Sequence, residues 1–163
     1  MARWAQGLKC EEIQLEKVEM SEYSREWICR NIVDGAQDAI IFADAAGIIR
    51  LWNSGAETIF GYGAGEAIGQ GLDIVIPAKL RERHRQGYSK VMEGGVSKYM
   101  KELLAVPALR KDGTRISIEF SIVILKSDKG GVVGSAALIR DVTARWEREK
   151  ALTAALKSNE TAV

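Results

Sequence analysis

The chain has 163 residues, 47% hydrophobic and 28% charged, with 23 basic side chains against 22 acidic ones. That is one domain's length, enough to build a core without disulfides. A net charge of +1 lacks both the basic excess of a nucleic-acid binder and the acidic excess of a disordered tail. Two cysteines, Cys10 and Cys29, are too few for a Cys-rich zinc site or a secreted disulfide scaffold. No apolar run reaches the ~18–20 residues of a membrane span, and MARWAQGLKCEEIQLEK has no signal-peptide core. We expect a cytoplasmic, single-domain protein with neither membrane nor nucleic acid as partner.

In chain order, residues 11–33 combine good helix formers with apolar Val18, Tyr23, Trp27, Ile28 and Ile32, which predicts a helix ended by Gly35. The apolar runs 39–44 and 48–53 flank Ala-Ala-Gly and read as a hairpin turning at Gly47. Ser54 and Glu57 have the spacing of a capping box, opening a short helix that ends at Gly61. Loop and brief helix follow to Pro77. Residues 79–93 then form an amphipathic helix with Leu80, His84, Tyr88, Val91 and Met92 on one face.

Three strands come next. Residues 101–109 contain Pro107, which favours a sheet edge. Residues 115–125 alternate Ile116, Ile118, Phe120, Ile122 and Ile124 with mostly polar neighbours, the period of a strand with one buried face. Residues 132–139 are the last strand, and a helix from Thr143 carries a loose apolar stripe of Val142, Trp146, Leu152 and Leu156. Segregated runs of helices and strands predict an α+β fold: a five-stranded antiparallel sheet with helices on one face, flanked by N- and C-terminal helices. The expected divisions are an extension over 1–33, a sheet domain over 34–143 and a connector over 144–163.

Chemistry-bearing residues are sparse. His84 is the only histidine, which excludes any mechanism needing two, and no G-x-S-x-G nucleophile elbow accompanies it. We therefore expect no enzyme. A lone histidine on an apolar helix face is either a core residue making one hydrogen bond or a ligand, so metal or cofactor chemistry through imidazole has one candidate position, His84.

Five short words carry a resemblance: Asn53-Ser-Gly-Ala-Glu57, Phe60-Gly61-Tyr62, Ala67-Ile-Gly69, Arg110-Lys-Asp-Gly113 and Arg140-Asp-Val-Thr143. In order and spacing they resemble the PAS domain family across roughly residues 34–150. The stretch from Ala67 through Ile76-Pro77 to Arg81-Glu-Arg-His84 resembles the haem-binding PAS domains of oxygen-sensing kinases and phosphodiesterases, with no gap from His84 to Asp112-Gly113. That resemblance implies haem b held by His84 as proximal ligand, with Tyr88 in the pocket and Lys90 and Lys98 near the propionates. It puts Phe120, Ile122, Ala137 and Leu138 on the pocket wall. The partner would be a diatomic gas (CO, NO or O2) or a redox change. The signal would pass through the flanking helices of a homodimer to a downstream domain or partner protein.

Two positions depart from those relatives. Leu104 stands where they place a distal arginine that stabilises oxygen, and Glu102 where one branch places a methionine ligand. Met100 shares the strand parity of Glu102 and could supply a sixth ligand. Without the arginine, CO, NO or redox sensing is expected over tight oxygen binding. Two alternatives stay open: flavin (FAD) or another small organic ligand lined by Trp52, Tyr88 and Phe120, or a ligand-free dimerisation module. Flavin photoreceptors of this fold need a cysteine after the central helices, and neither Cys10 nor Cys29 is there.

Overall fold

A computed structural model describes residues 23–94 and 103–160. The chain divides into two units, Met1–Asp34 and Gly35–Val163.

In the first unit, helix α1 runs over Arg25–Gly35. Ser24 stays outside the helix and its hydroxyl accepts the Trp27 N–H at 3.1 Å, an N-cap inside the stretch expected to be continuous helix. Residues 11–22 lie outside the described residues. Every apolar side chain of α1 is at least partly exposed, and Cys29 is an exposed free thiol.

The second unit holds strands β1 (Ala39–Asp44) and β2 (Ile49–Trp52), helices α2 (Ser54–Phe60) and α3 (Ala64–Ala67), and a 3-10 turn at Leu72–Val75. Helix α4 (Ala78–Gly94), strands β3 (Leu104–Leu109), β4 (Arg115–Lys126) and β5 (Val132–Asp141), and helix α5 (Thr143–Glu160) complete it. The sheet is antiparallel throughout in the order β2-β1-β5-β4-β3. Pro107 falls on the edge strand β3, where its missing N–H costs least.

The expected capping box does not form. Asn53, one residue earlier, is the N-cap of α2: its Oδ1 accepts the Ala56 N–H at 2.9 Å. Glu57 reaches forward, accepting the Ala64 N–H at 2.6 Å. Asn53 wins because the same Oδ1 also accepts the Ile40 N–H at 2.8 Å, while its amide donates to Ala36 O at 3.3 Å and Asp38 O at 3.1 Å. A serine side chain is too short to bridge helix and strand this way. Gly55 must be glycine, since a Cβ there would sit 2.3 Å from Asp38 O.

Register sets which residues share a face. Residues paired directly across an antiparallel sheet point the same way, so Ala39, Ile139, Phe120 and Leu104 form one row. Trp52, Ile41, Ala137 and Ile122 form the next. These rows face the core. Burial falls along both, from complete at β2 and β1 to half at β4 and β3. The packed core lies over the β1–β2 side, where Ile59, Phe60, Ala67 and Val75 cover it. On the far side the inner face stays partly open: Phe120, Ile122 and Leu104 are half-buried, and Val106 keeps 37% of its surface.

Candidate functional site

Helix α4 has an exposed polar face and a half-buried one, and none of its residues is fully buried. The half-buried face carries Leu80, His84, Tyr88, Val91 and Met92, as the helical spacing predicts. Arg81 secures its first turn by donating to Ile76 O at 3.1 Å. The helix meets the sheet at β5 and, through Tyr88, at the end of β1.

His84 is half-buried and makes no hydrogen bond among the described residues. Burial holds its pKa below the ordinary histidine value, although the Asp73 carboxylate pulls the other way. The imidazole is therefore neutral at pH 7, with a lone pair available to a metal. Its ring stacks on Tyr88 with centroids 6.0 Å apart and planes inclined by 28°.

Tyr88 is more than an apolar wall. Its hydroxyl donates toward Asp44 O at 2.7 Å and Ala43 O at 3.0 Å, and the Ser135 hydroxyl lies 3.5 Å away. Burial raises its pKa, so it remains a donor at neutral pH. Ser135 pairs across the strands with Ala43 and shares the parity of Ala137, and that two-residue spacing is the one sign of its position that the sequence carries. Asp73 was also missed; nothing in its spacing marks it as a neighbour of His84.

Leu104, Phe120, Ile122 and Ala137 share the inner face of the sheet and are half-buried. Leu138 does not: it pairs with Ile40 and Ser121 on the opposite face and is 43% exposed. This corrects its assignment to the wall, and the reason is the two-residue period of a strand, which turns neighbours to opposite faces. Lys90 is exposed and forms no ion pair among the described residues. Lys98, Met100 and Glu102 lie outside the described residues. Trp52 belongs to the core rather than to an open site: it is 5% exposed, packs on Phe60 at 5.5 Å, and its indole N–H is taken by Tyr62 O at 2.9 Å.

The end of the sheet is tied to α5 by a polar network. Asp141 accepts from Arg110 at 2.8 Å and from the Thr143 N–H and hydroxyl at 2.9 and 2.6 Å. Burial works to raise the Asp141 pKa, but these donors outweigh it and the carboxyl stays below its ordinary range. Thr143 Oγ1 accepts the Ser117 N–H at 2.9 Å, while Arg145 pairs with Glu119 on β4. Arg145 also pairs with Glu149 at 3.7 Å, so it bridges strand and helix.

The family profile of the PAS fold matches residues 33–147. The chain is a PAS domain. Among curated proteins it is 30% identical over 151 residues to the sensor protein FixL of Bradyrhizobium diazoefficiens, covering 93% of this chain and 30% of that protein. It is 28% identical over 102 residues to the oxygen sensor protein DosP of Escherichia coli, covering 63% of this chain and 12% of that one. The PAS domain thus spans less than a third of either relative. Among solved structures, a PAS domain from Colwellia psychrerythraea aligns with a TM-score of 0.65 at 27% identity, covering 74% of this chain and 99% of that one. An RNA-binding light-oxygen-voltage receptor aligns with a TM-score of 0.67 at 22% identity, covering 82% and 37%, a likeness of fold alone. No described helix is long and apolar enough to cross a membrane.

Proposed function

We propose that residues 34–143 are a sensory PAS core that binds haem b through His84 and signals through its flanking helices without catalytic turnover. The observation that carries this is His84 itself: neutral, half-buried, without a hydrogen-bond partner among the described residues, on the helix face that meets the sheet. The residues present fit the group. The partly open inner face of Leu104, Phe120, Ile122 and Ala137 offers apolar surface to a flat macrocycle, and exposed Lys90 offers an ammonium to a carboxylate. Haem supplies an iron centre able to bind a diatomic gas or change redox state. Similarity to a named oxygen sensor supports the same class.

Leu104 gives the pocket wall no charged donor, which favours CO, NO or a redox change over stable oxygen as the signal. Lys98 is assigned to a propionate by resemblance alone, and Met100 to the sixth coordination position by the strand parity it shares with Glu102.

Hemin titration of the purified protein, followed in the visible spectrum, tests the reading. Wild type should develop a Soret band at one equivalent, and His84→Ala should lose it while keeping its circular dichroism. Unchanged binding by the variant overturns the assignment. Flavin absorption in the protein as purified, without hemin uptake, would favour the flavin alternative, and no chromophore with no uptake the ligand-free one.

A further inference from the structure

Among the described residues, the side chains of α4 make few polar contacts. Arg81 bonds to Ile76 O just before the helix, while Gln86–Glu82 and Ser89–Glu93 stay within it. Arg85 pairs with Glu82 and with Asp73 of the 3-10 turn. Tyr88 alone hydrogen-bonds to the sheet. Its two acceptors, Ala43 and Asp44, end β1 and open the turn to β2.

That turn is tightly built. Asp44 Oδ1 accepts the N–H groups of Ala46 and Ile48, both at 3.0 Å, and Oδ2 accepts from Arg50 at 2.7 Å. Gly47 holds a φ of 78°, and the Tyr88 ring lies beside it, where a Cβ on Gly47 would meet the ring at an ordinary van der Waals distance of 3.9 Å. Asp44 O also accepts the Gly47 N–H at 2.8 Å. Tyr88 therefore holds the strand end through its hydroxyl, with its ring on the Gly47 side of the turn, while the ring also stacks on the His84 imidazole one helical turn away.

We propose that Tyr88 is a positioning residue that fixes the His84 imidazole and links it to the β1–β2 turn, so that a change at His84 is read as a change in residues 43–48. This rests on His84 being the haem ligand. A rotation or shift of α4 at His84 must either carry the Tyr88 hydroxyl off two carbonyl oxygens or drag those carbonyls with it. The turn is short and closed by its own aspartate, so it moves as a unit.

Hydrogen–deuterium exchange read by mass spectrometry on the whole chain, with and without one equivalent of hemin, tests the link. In wild type, loading should change deuterium uptake across residues 43–49. Tyr88→Phe keeps the ring and loses the anchor, so it should still take up hemin, no more than roughly tenfold more weakly, the worth of one neutral hydrogen bond. The response at 43–49 should be lost. Arg81→Ala removes a comparable bond that does not reach the sheet and should leave the response intact. A merely structural tyrosine would lower thermal stability and leave the loading response unchanged, which overturns the proposal. So does a wild type that binds hemin without any response at 43–49, whatever the variants do. Failure of wild type to take up hemin overturns the His84 reading and this one with it, whereas hemin uptake abolished by His84→Ala with an unaltered response in Tyr88→Phe overturns this one alone.

Discussion

Replacing Asn53 by alanine removes the side chain that joins the start of β1 to the start of α2. Two donors lose their acceptor, the N–H groups of Ala56 and Ile40. Loss of an N-cap costs ~0.5–2 kcal/mol, and a buried N–H left without a partner costs ~1–3 kcal/mol. Asn53 is only 4% exposed, so water has little access to repair either bond. The sum is about 2–5 kcal/mol, a large part of the ~5–15 kcal/mol that holds a typical domain together. At roughly 4 °C per kcal/mol for a domain of this size, the melting temperature should fall by about 8–20 °C. Asn53→Asp separates the two halves of the amide. It keeps an acceptor for Ile40 and Ala56 but turns a carboxylate oxygen toward the carbonyls of Ala36 and Asp38. Burial beside those carbonyls raises the new carboxyl's folded pKa, so the variant should be unstable at pH 7 and regain stability as the pH falls and the group becomes a donor. Urea unfolding of both variants across pH checks this. An alanine variant within 1 kcal/mol of wild type, or an aspartate variant indifferent to pH, would refute the accounting.

Three further outcomes follow from the same geometry. The folded pKa of His84 lies below its unfolded value near 6.5, so its contribution to stability is complete above that value and lost as pH falls through the folded value; His84→Gln should abolish this slope in urea titrations of the unloaded protein. Gly55→Ala should fail to fold by circular dichroism, because the clash at 2.3 Å is with backbone, while Gly65→Ala, with no atom within 4 Å of the added Cβ, should melt as wild type does. Trp146 and Leu152 are 49% and 65% exposed on α5, and replacing both by serine should shift a homodimer toward monomer in light scattering; a monomeric wild type would refute dimerisation through this stripe.

The sheet was legible in the sequence because its cues are local. Alternating Ile116 to Ile124 marks β4, Gly47 marks the hairpin, and Pro107 marks the edge. Helix α4 and its half-buried face were legible for the same reason, since 3.6-residue spacing brings Leu80, His84 and Tyr88 into line. What escaped were choices decided by tertiary partners. Asn53 outcompetes Ser54 as a cap because a strand N–H waits within its reach, and that strand lies 13 residues back in sequence. The cap at Ser24 escaped because no glycine or proline sets it apart from the helix formers that follow. Leu138 was misassigned by taking two adjacent residues of a strand as one wall. The anchoring of Tyr88 spans 44 residues to Asp44, and no local pattern encodes it.

The pairing of β1 with β5 has a consequence for how the chain is made. Ala39 is matched with Ile139, so the first strand waits for a partner synthesised one hundred residues later. At ~5–20 residues per second, the nascent hairpin stands with an open hydrogen-bonding edge for roughly 5–20 s before β5 emerges. The apolar run of β1, Ala39 to Ala43, is unprotected in that interval. The last strand of this sheet to be synthesised is also the one that lies at its centre, between β1 and β4, and its arrival closes both halves at once.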